Sequence, residues 1–123
     1  MNALHSVSVA KVAELLNLNN LTKEMNLKER TIECSDVNRP ALQLSGYFEH
    51  FEERRIQIIG NVEYSYLKSL SETERYERYM QLLSSNIPCL VFCRGLEPEP
   101  KILELAVKCQ IPIFKSQEAT SSF

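Results

Sequence analysis

Apolar side chains recur at helical spacing in three parts of the chain. The first predicts a helix from Val9 to about Asn17, with Ser8 in position to cap it. The second follows Ser71, which stands three residues before Glu74, as in a capping box. Its predicted buried stripe consists of Tyr76, Tyr79, Met80 and Leu83. The third runs from about Pro98 to Cys109, and its predicted buried face consists of Ile102, Leu105, Ala106 and Cys109.

Short β-branched runs separate these helices. They predict strands over residues 30–35, 55–59, 88–93 and 111–114, and Gly60 leads into a further helix near Val62. Residues 36–40 break the first strand and predict a loop. Strands and helices alternate from residue 55 to 114, which implies right-handed crossovers. We therefore expect an α/β fold with a mixed, largely parallel sheet flanked by helices, and Pro112 at the beginning of a strand or on an edge.

Length and composition indicate one globular domain. The chain has 123 residues, of which 44% are hydrophobic and 24% charged, so a core can form without disulfides or metals. We expect the domain to cover residues 1–115 and a linker to a further, absent domain to begin at 116–123. The net charge of −2 is spread along the chain, which argues against nucleic-acid binding. No signal peptide or membrane-spanning run is visible, which predicts a cytoplasmic protein without membrane contact.

Metal binding is disfavoured although Cys89 and Cys93 are four residues apart. In a strand, four steps separate the two sulfur atoms by about 13 Å, too far for one tetrahedral zinc ion. We therefore predict no metal site and interpret the cysteines as small apolar side chains of the core.

One candidate binding site lies where predicted parallel strands end. Gly60 and Gly95 stand at strand-to-helix junctions, Arg94 adjoins the second junction, and Asn38 and Arg39 join them if the 36–40 loop reaches the same edge. Such an edge with helix N-termini suits a phosphate or carboxylate. The alternative, which we favour, is that both glycines only permit tight turns and both arginines pair with nearby acids.

Catalytic machinery is missing from the sequence. It contains no G-x-x-x-x-G-K-[ST] loop, and Asp36 is its only aspartate. We expect no catalytic residues in this chain and no activity from it alone.

Five ordered segments resemble the N-terminal domain of HPr kinase/phosphorylases. They are Ser-Asp-Val-Asn-Arg-Pro-Ala-Leu at 35–42, Gly-Tyr-Phe at 46–48, Glu-Arg-Arg-Ile-Gln-Ile-Ile-Gly at 53–60, Cys-Arg-Gly-Leu-Glu-Pro at 93–98 and Ile-Pro-Ile-Phe at 111–114. Their order and spacing fit throughout. The likeness covers essentially the whole chain and also implies a fold similar to the N-terminal domain of Mur ligases.

The resemblance implies a regulatory or interaction domain of a bifunctional bacterial enzyme. Members of this family phosphorylate a serine of the phosphocarrier HPr with ATP or pyrophosphate, with Mg, and reverse the reaction in carbon catabolite repression. Their catalytic residues and their contact with HPr lie in a C-terminal domain that this chain lacks, and the full-length proteins form homohexamers. The chain itself is expected to hold no cofactor. Two other readings stay open: a module that senses a phosphometabolite or nucleotide, and a free-standing enzyme.

Overall fold

The computed structural model describes residues 7–23, 25, 31–32, 37–44 and 53–118. The strands are β1 Val7–Ser8, β2 Asn19–Asn20, β3 Thr31–Ile32, β4 Val37–Asn38, β5 Ile56–Ile59, β6 Leu90–Phe92 and β7 Ile113–Lys115. The helices are α1 Val9–Leu15, α2 Ala41–Leu44, α3 Asn61–Lys68, α4 Glu72–Leu83 and α5 Pro100–Cys109. None of the described helices is long and apolar enough to cross a bilayer.

A five-stranded sheet in the order β2-β7-β6-β5-β4 forms the centre of the molecule. The strands β4, β5, β6 and β7 are mutually parallel, and β2 pairs antiparallel with β7 at one edge. A separate antiparallel pair joins β1 to β3. The predicted α/β architecture with a mixed, largely parallel sheet is therefore confirmed, whereas the likeness to Mur ligases stays a prediction.

Both faces of the sheet are covered, so its central strands are apolar on both sides except at the buried Gln57 of β5. On one face, Ile59, Leu90 and Phe92 pack against residues of α2 to α5, including Leu44, Leu82 and Ile102. On the other face, the cluster comprises Val9, Ile32, Ile56, Ile58, Cys89, Val91, Cys93 and Phe114. Cys89 and Cys93 are buried, as predicted for core side chains.

The helix signals in the sequence mark real helix starts. The Ser8 hydroxyl accepts a hydrogen bond from the backbone N–H of Lys11 at 3.1 Å, and α1 begins at the predicted residue. The Ser71 hydroxyl likewise accepts from the Glu74 N–H at 3.1 Å. The predicted capping box is only half formed, because the Glu74 carboxylate accepts a hydrogen bond from the Ser71 hydroxyl.

The predicted buried stripe of α4 is wrong at one residue. Met80 is 41% exposed and lines a surface groove between α4 and α5, whereas Leu82 is fully buried. The reason is that α4 packs against α2, α5 and Phe92 of β6, so its buried arc centres on Tyr79, Leu82 and Leu83. The spacing of apolar residues in a sequence shows how wide the buried face of a helix is, but it is a poorer guide to the residue on which that face is centred.

Several boundaries differ from the prediction, and among them β6 spans Leu90–Phe92 instead of 88–93 and β7 spans Ile113–Lys115 instead of 111–114. Val37 and Asn38, expected in a loop, form the parallel edge strand β4, because their backbone pairs with Ile56 and Gln57 of β5. Helix α5, which was predicted to begin at about Pro98, begins at Pro100 with Glu99 at its N-cap. Of the strand predicted over residues 30–35, only Thr31–Ile32 falls within the described residues.

Candidate functional site

The carboxyl ends of β4, β5 and β6 lie side by side at one edge of the sheet. Asn38 ends β4, Gly60 follows β5, and Arg94 and Gly95 follow β6 after Cys93. The Cys93 N–H donates to the Ile59 carbonyl at 3.0 Å, which continues the β5–β6 pairing to this edge. The structure therefore places all five predicted site residues, Asn38, Arg39, Gly60, Arg94 and Gly95, at the same edge.

A buried carboxylate from α3 accepts hydrogen bonds from two of these residues. The Glu63 side chain is 2% exposed, and its Oε1 accepts a hydrogen bond from the Gly60 N–H at 2.9 Å. The Arg39 guanidinium donates to both Glu63 oxygens, from Nη2 to Oε1 at 2.9 Å and from Nε to Oε2 at 3.1 Å. These hydrogen bonds raise the pKa of Arg39. The sheet edge thus already holds an anion, which is Glu63 itself.

Asn38 belongs to a network of amide side chains. Its Nδ2 donates to Gln57 Oε1 at 2.6 Å and to Gln43 Oε1 at 3.2 Å. Gln57 is fully buried on β5, and its Nε2 donates to the Arg55 carbonyl at 2.9 Å. Because a buried amide must be hydrogen-bonded, Asn38 has a structural reason to stand here independent of any ligand.

Arg94 and Gly95 form a tight turn with left-handed backbone, at φ 56° and 69°. The Arg94 N–H donates to the Glu118 carbonyl at 2.9 Å, and the Gly95 N–H donates to the Ser116 carbonyl at 2.8 Å. Residues 116–118 therefore lie along this turn. The predicted domain boundary after residue 115 stays a prediction.

The Arg94 side chain differs from that of Arg39. It is exposed, and within the described ranges it makes no hydrogen bond or ion pair. Its charge, together with that of Arg39, acts on the buried Cys93 thiol, but desolvation is the larger effect and raises the pKa of Cys93 to about 11. At neutral pH this thiol is therefore protonated and unreactive.

The described edge offers little to a ligand beyond Arg94. Ligand crevices in open α/β sheets form where the strand order reverses, and the order of the described parallel strands runs from β4 to β7 without a reversal. The backbone donors at 60, 94 and 95 already have acceptors. Among the described residues, no group of three His, Cys, Asp or Glu side chains could hold a metal ion.

Sequence reasoning found this edge but missed Glu63 and residues 116–118. A signal for Glu63 existed, because it stands three residues after Gly60, the spacing at which a helix N3 carboxylate reaches back to the N-cap N–H. No local signal could have found the contact between residues 116–118 and the Arg94–Gly95 turn.

Residues 7–123 match the family model described as HPr Serine kinase N terminus. The chain is 41% identical over 120 residues to the HPr kinase/phosphorylase of Lachnoclostridium phytofermentans, covering 98% of this chain and 39% of that protein. It is 40% identical over 116 residues to the enzyme of the same name from Caldicellulosiruptor bescii, covering 94% of this chain and 37% of that protein. The chain thus spans less than two fifths of the length of these relatives.

A solved structure also shares the fold. It contains the CBS and DRTGG domains of the regulatory region of Clostridium perfringens pyrophosphatase, complexed with the activator diadenosine tetraphosphate. The TM-score is 0.64 at 19% identity, and the match covers 94% of this chain and 44% of that one. At this identity the likeness concerns the fold alone.

Proposed function

The chain belongs to the HPr serine kinase N-terminal family, and we propose that it is the non-catalytic, regulatory or interaction domain of an HPr kinase/phosphorylase. One observation carries the proposal: relatives about 40% identical over nearly the whole chain are named HPr kinase/phosphorylase and extend far beyond the region it matches. The sequence, which has no P-loop, supports a division of labour in which phosphoryl transfer occurs elsewhere in the protein.

The finer parts of the proposal concern the whole protein. It uses ATP and Mg to phosphorylate a serine of HPr, reverses that reaction, and acts in the cytoplasm in carbon catabolite repression. The catalytic domain of the whole protein contacts HPr. The same domain joins six copies of the protein into a homohexamer. The interspersed charge supports a domain without a nucleic-acid partner, and we expect no membrane partner because the sequence has no apolar run long enough to span a bilayer.

Phosphoryl transfer to HPr tests the division of labour. Three proteins are compared with ATP, Mg and HPr: this chain, the full-length protein, and the full-length protein without residues 1–115. We expect no phosphoserine from this chain above the enzyme-free blank, and transfer by both others. Transfer by this chain alone, or a folded truncated protein without any transfer, would refute the proposed role.

A second candidate function is a module that senses a small phosphorylated ligand at Asn38, Arg39, Gly60, Arg94 and Gly95. The exposed Arg94 guanidinium, without a partner in the described part of the chain, favours it over a purely structural edge. Calorimetry with UDP, ATP, pyrophosphate and a sugar bisphosphate tests it. We expect heat that disappears in Arg94→Ala and persists in Arg54→Ala, which removes an exposed arginine from a surface turn. No heat with any of these ligands removes this candidate.

A further inference from the structure

The chain does not leave the sheet where β7 ends. Ser116 is 5% exposed, and its N–H donates to the Phe92 carbonyl at 2.8 Å, one step beyond the last paired residues of β6 and β7. Its carbonyl accepts from Gly95, and the carbonyl of Glu118 accepts from Arg94. The Glu118 N–H returns to the Ser116 hydroxyl at 3.1 Å. Residues 116–118 are therefore fastened to the turn that follows β6.

That turn has a backbone conformation that is unfavourable for one of its residues. Arg94 has a positive φ, which brings the Cβ of an L-residue too close to the backbone and which glycine adopts without this penalty. Gly95 has a positive φ as well, and a Cβ there would lie 2.9 Å from the Gln117 side-chain oxygen. The segment that the turn binds thus also packs over its glycine.

The donors on the turn belong to consecutive residues. The two acceptors, the carbonyls of Ser116 and Glu118, lie within three consecutive residues, so both hydrogen bonds are lost when residues 116–118 separate from the turn. We therefore expect the hydrogen bonds between the turn and residues 116–118 to form and break together. Backbone strain in Arg94 raises the free energy of the closed state, in which residues 116–118 are bound to the turn. The free energy needed to open this segment is therefore lower, as expected of a segment that opens before the rest of the domain.

We propose that the Arg94–Gly95 turn and residues 116–118 form a latch, which opens as one unit and links the state of the sheet edge to the chain beyond residue 118. This inference rests on the proposed function, in which a regulatory domain must transmit its state to another part of the protein. The latch gives that transmission a physical path: a contact made at Arg94 changes the backbone turn, and the turn holds or frees residues 116–118.

Native-state hydrogen exchange on this chain tests whether the latch is a unit. The amides of Arg94, Gly95 and Ser116 are expected to exchange through one shared opening, with equal opening free energies below that of the Val91 and Ile58 amides in the sheet. Unequal openings among the three, or exchange only by the global unfolding that frees the sheet, would overturn the latch.

Two variants move the latch in opposite directions. Arg94→Gly keeps the N–H and removes the left-handed penalty, and we expect it to slow exchange at all three amides about fivefold or more. Gly95→Ala adds strain and meets Gln117, and should accelerate exchange at all three by at least as much. Asn86→Gly is the matched control, because Asn86 also has positive φ but lies outside the latch. A change confined to the substituted residue's own amide would contradict the proposal, even if Gly95→Ala does not fold.

The link to the rest of the protein has a separate readout. In the full-length protein, the ratio of HPr phosphorylation to dephosphorylation should differ between Arg94→Gly and the unmodified enzyme, and not in Asn86→Gly. Shared exchange with an unchanged ratio would overturn the regulatory part of the latch. The proposed division of labour would stand in that case, because it is decided by which protein transfers phosphate.

Discussion

The Arg39–Glu63 pair predicts an order of stabilities that depends on which partner is removed. The Glu63 carboxylate is 2% exposed, whereas the Arg39 side chain is 43% exposed. Arg39→Met leaves a buried charge with the Gly60 N–H as its one remaining donor among the described residues. Glu63→Gln leaves a guanidinium that water can reach. We therefore expect Arg39→Met to lower the free energy of unfolding by more than Glu63→Gln.

The magnitudes follow from the contacts that each change loses. Breaking a buried ion pair so that one charge stays buried costs about 3–5 kcal/mol, which is the expectation for Arg39→Met. In Glu63→Gln the amide oxygen can still accept from Gly60, but the amide nitrogen faces an Arg39 donor. Losing charge-assisted hydrogen bonds to a partly hydrated partner costs about 2–3 kcal/mol. The double variant should cost less than the sum, since the second change removes the stranded partner.

Urea unfolding followed by circular dichroism at 222 nm provides the measurement, because urea, unlike guanidinium chloride, does not screen charges. Glu72→Gln is the control, since the Lys101–Glu72 pair is exposed at 66% and 64% and its loss should leave the midpoint unchanged. Equal costs for Arg39→Met and Glu63→Gln, or additive costs in the double variant, would refute the burial argument.

Three further predictions concern caps, packing and pH. Ser71→Ala removes the oxygen that caps α4 and should cost about 1 kcal/mol in urea unfolding, and no loss would contradict the cap. Leu82→Ala should cost about 2–5 kcal/mol and Met80→Ala about 0.5 kcal/mol or less, and the reverse order would restore the stripe expected from the sequence. The Cys93 thiol has its ordinary pKa of 9.0 in the unfolded chain and a pKa of about 11 in the folded protein. Its stabilising contribution to the free energy of unfolding is therefore complete below pH 9 and is lost as pH rises towards 11. Unmodified protein should therefore lose about 1 kcal/mol more than Cys93→Val between pH 8 and pH 10, and a parallel loss in both would refute the assignment.

Sequence alone predicted the elements whose signals are local. Capping serines and apolar repeats depend on residues within one or two turns of each other, and Ser8 and Ser71 each cap the helix that was predicted to follow them. The proline signal was less exact, because α5 begins at Pro100 and not at the predicted Pro98. Alternating strands and helices then led to a largely parallel sheet, because short connections leave few alternatives. The same reasoning placed Gly60 and Arg94 at one edge, since parallel strands end together.

Only the tertiary structure decided what that edge contains. Gly60 and Glu63 are three residues apart, but Arg39 reaches Glu63 across 24 positions of sequence, and Asn38 reaches Gln57 across 19. Val37 and Asn38 became a strand through pairing with β5, and residues 116–118 joined the Arg94–Gly95 turn through the backbone carbonyls of Ser116 and Glu118, acceptors that every residue type carries. Backbone pairing of this kind leaves no mark on the identity of the residues involved. For that reason the sequence alone located the sheet edge and five residues on it, and only the fold determined that Glu63 and residues 116–118 are bound to them there.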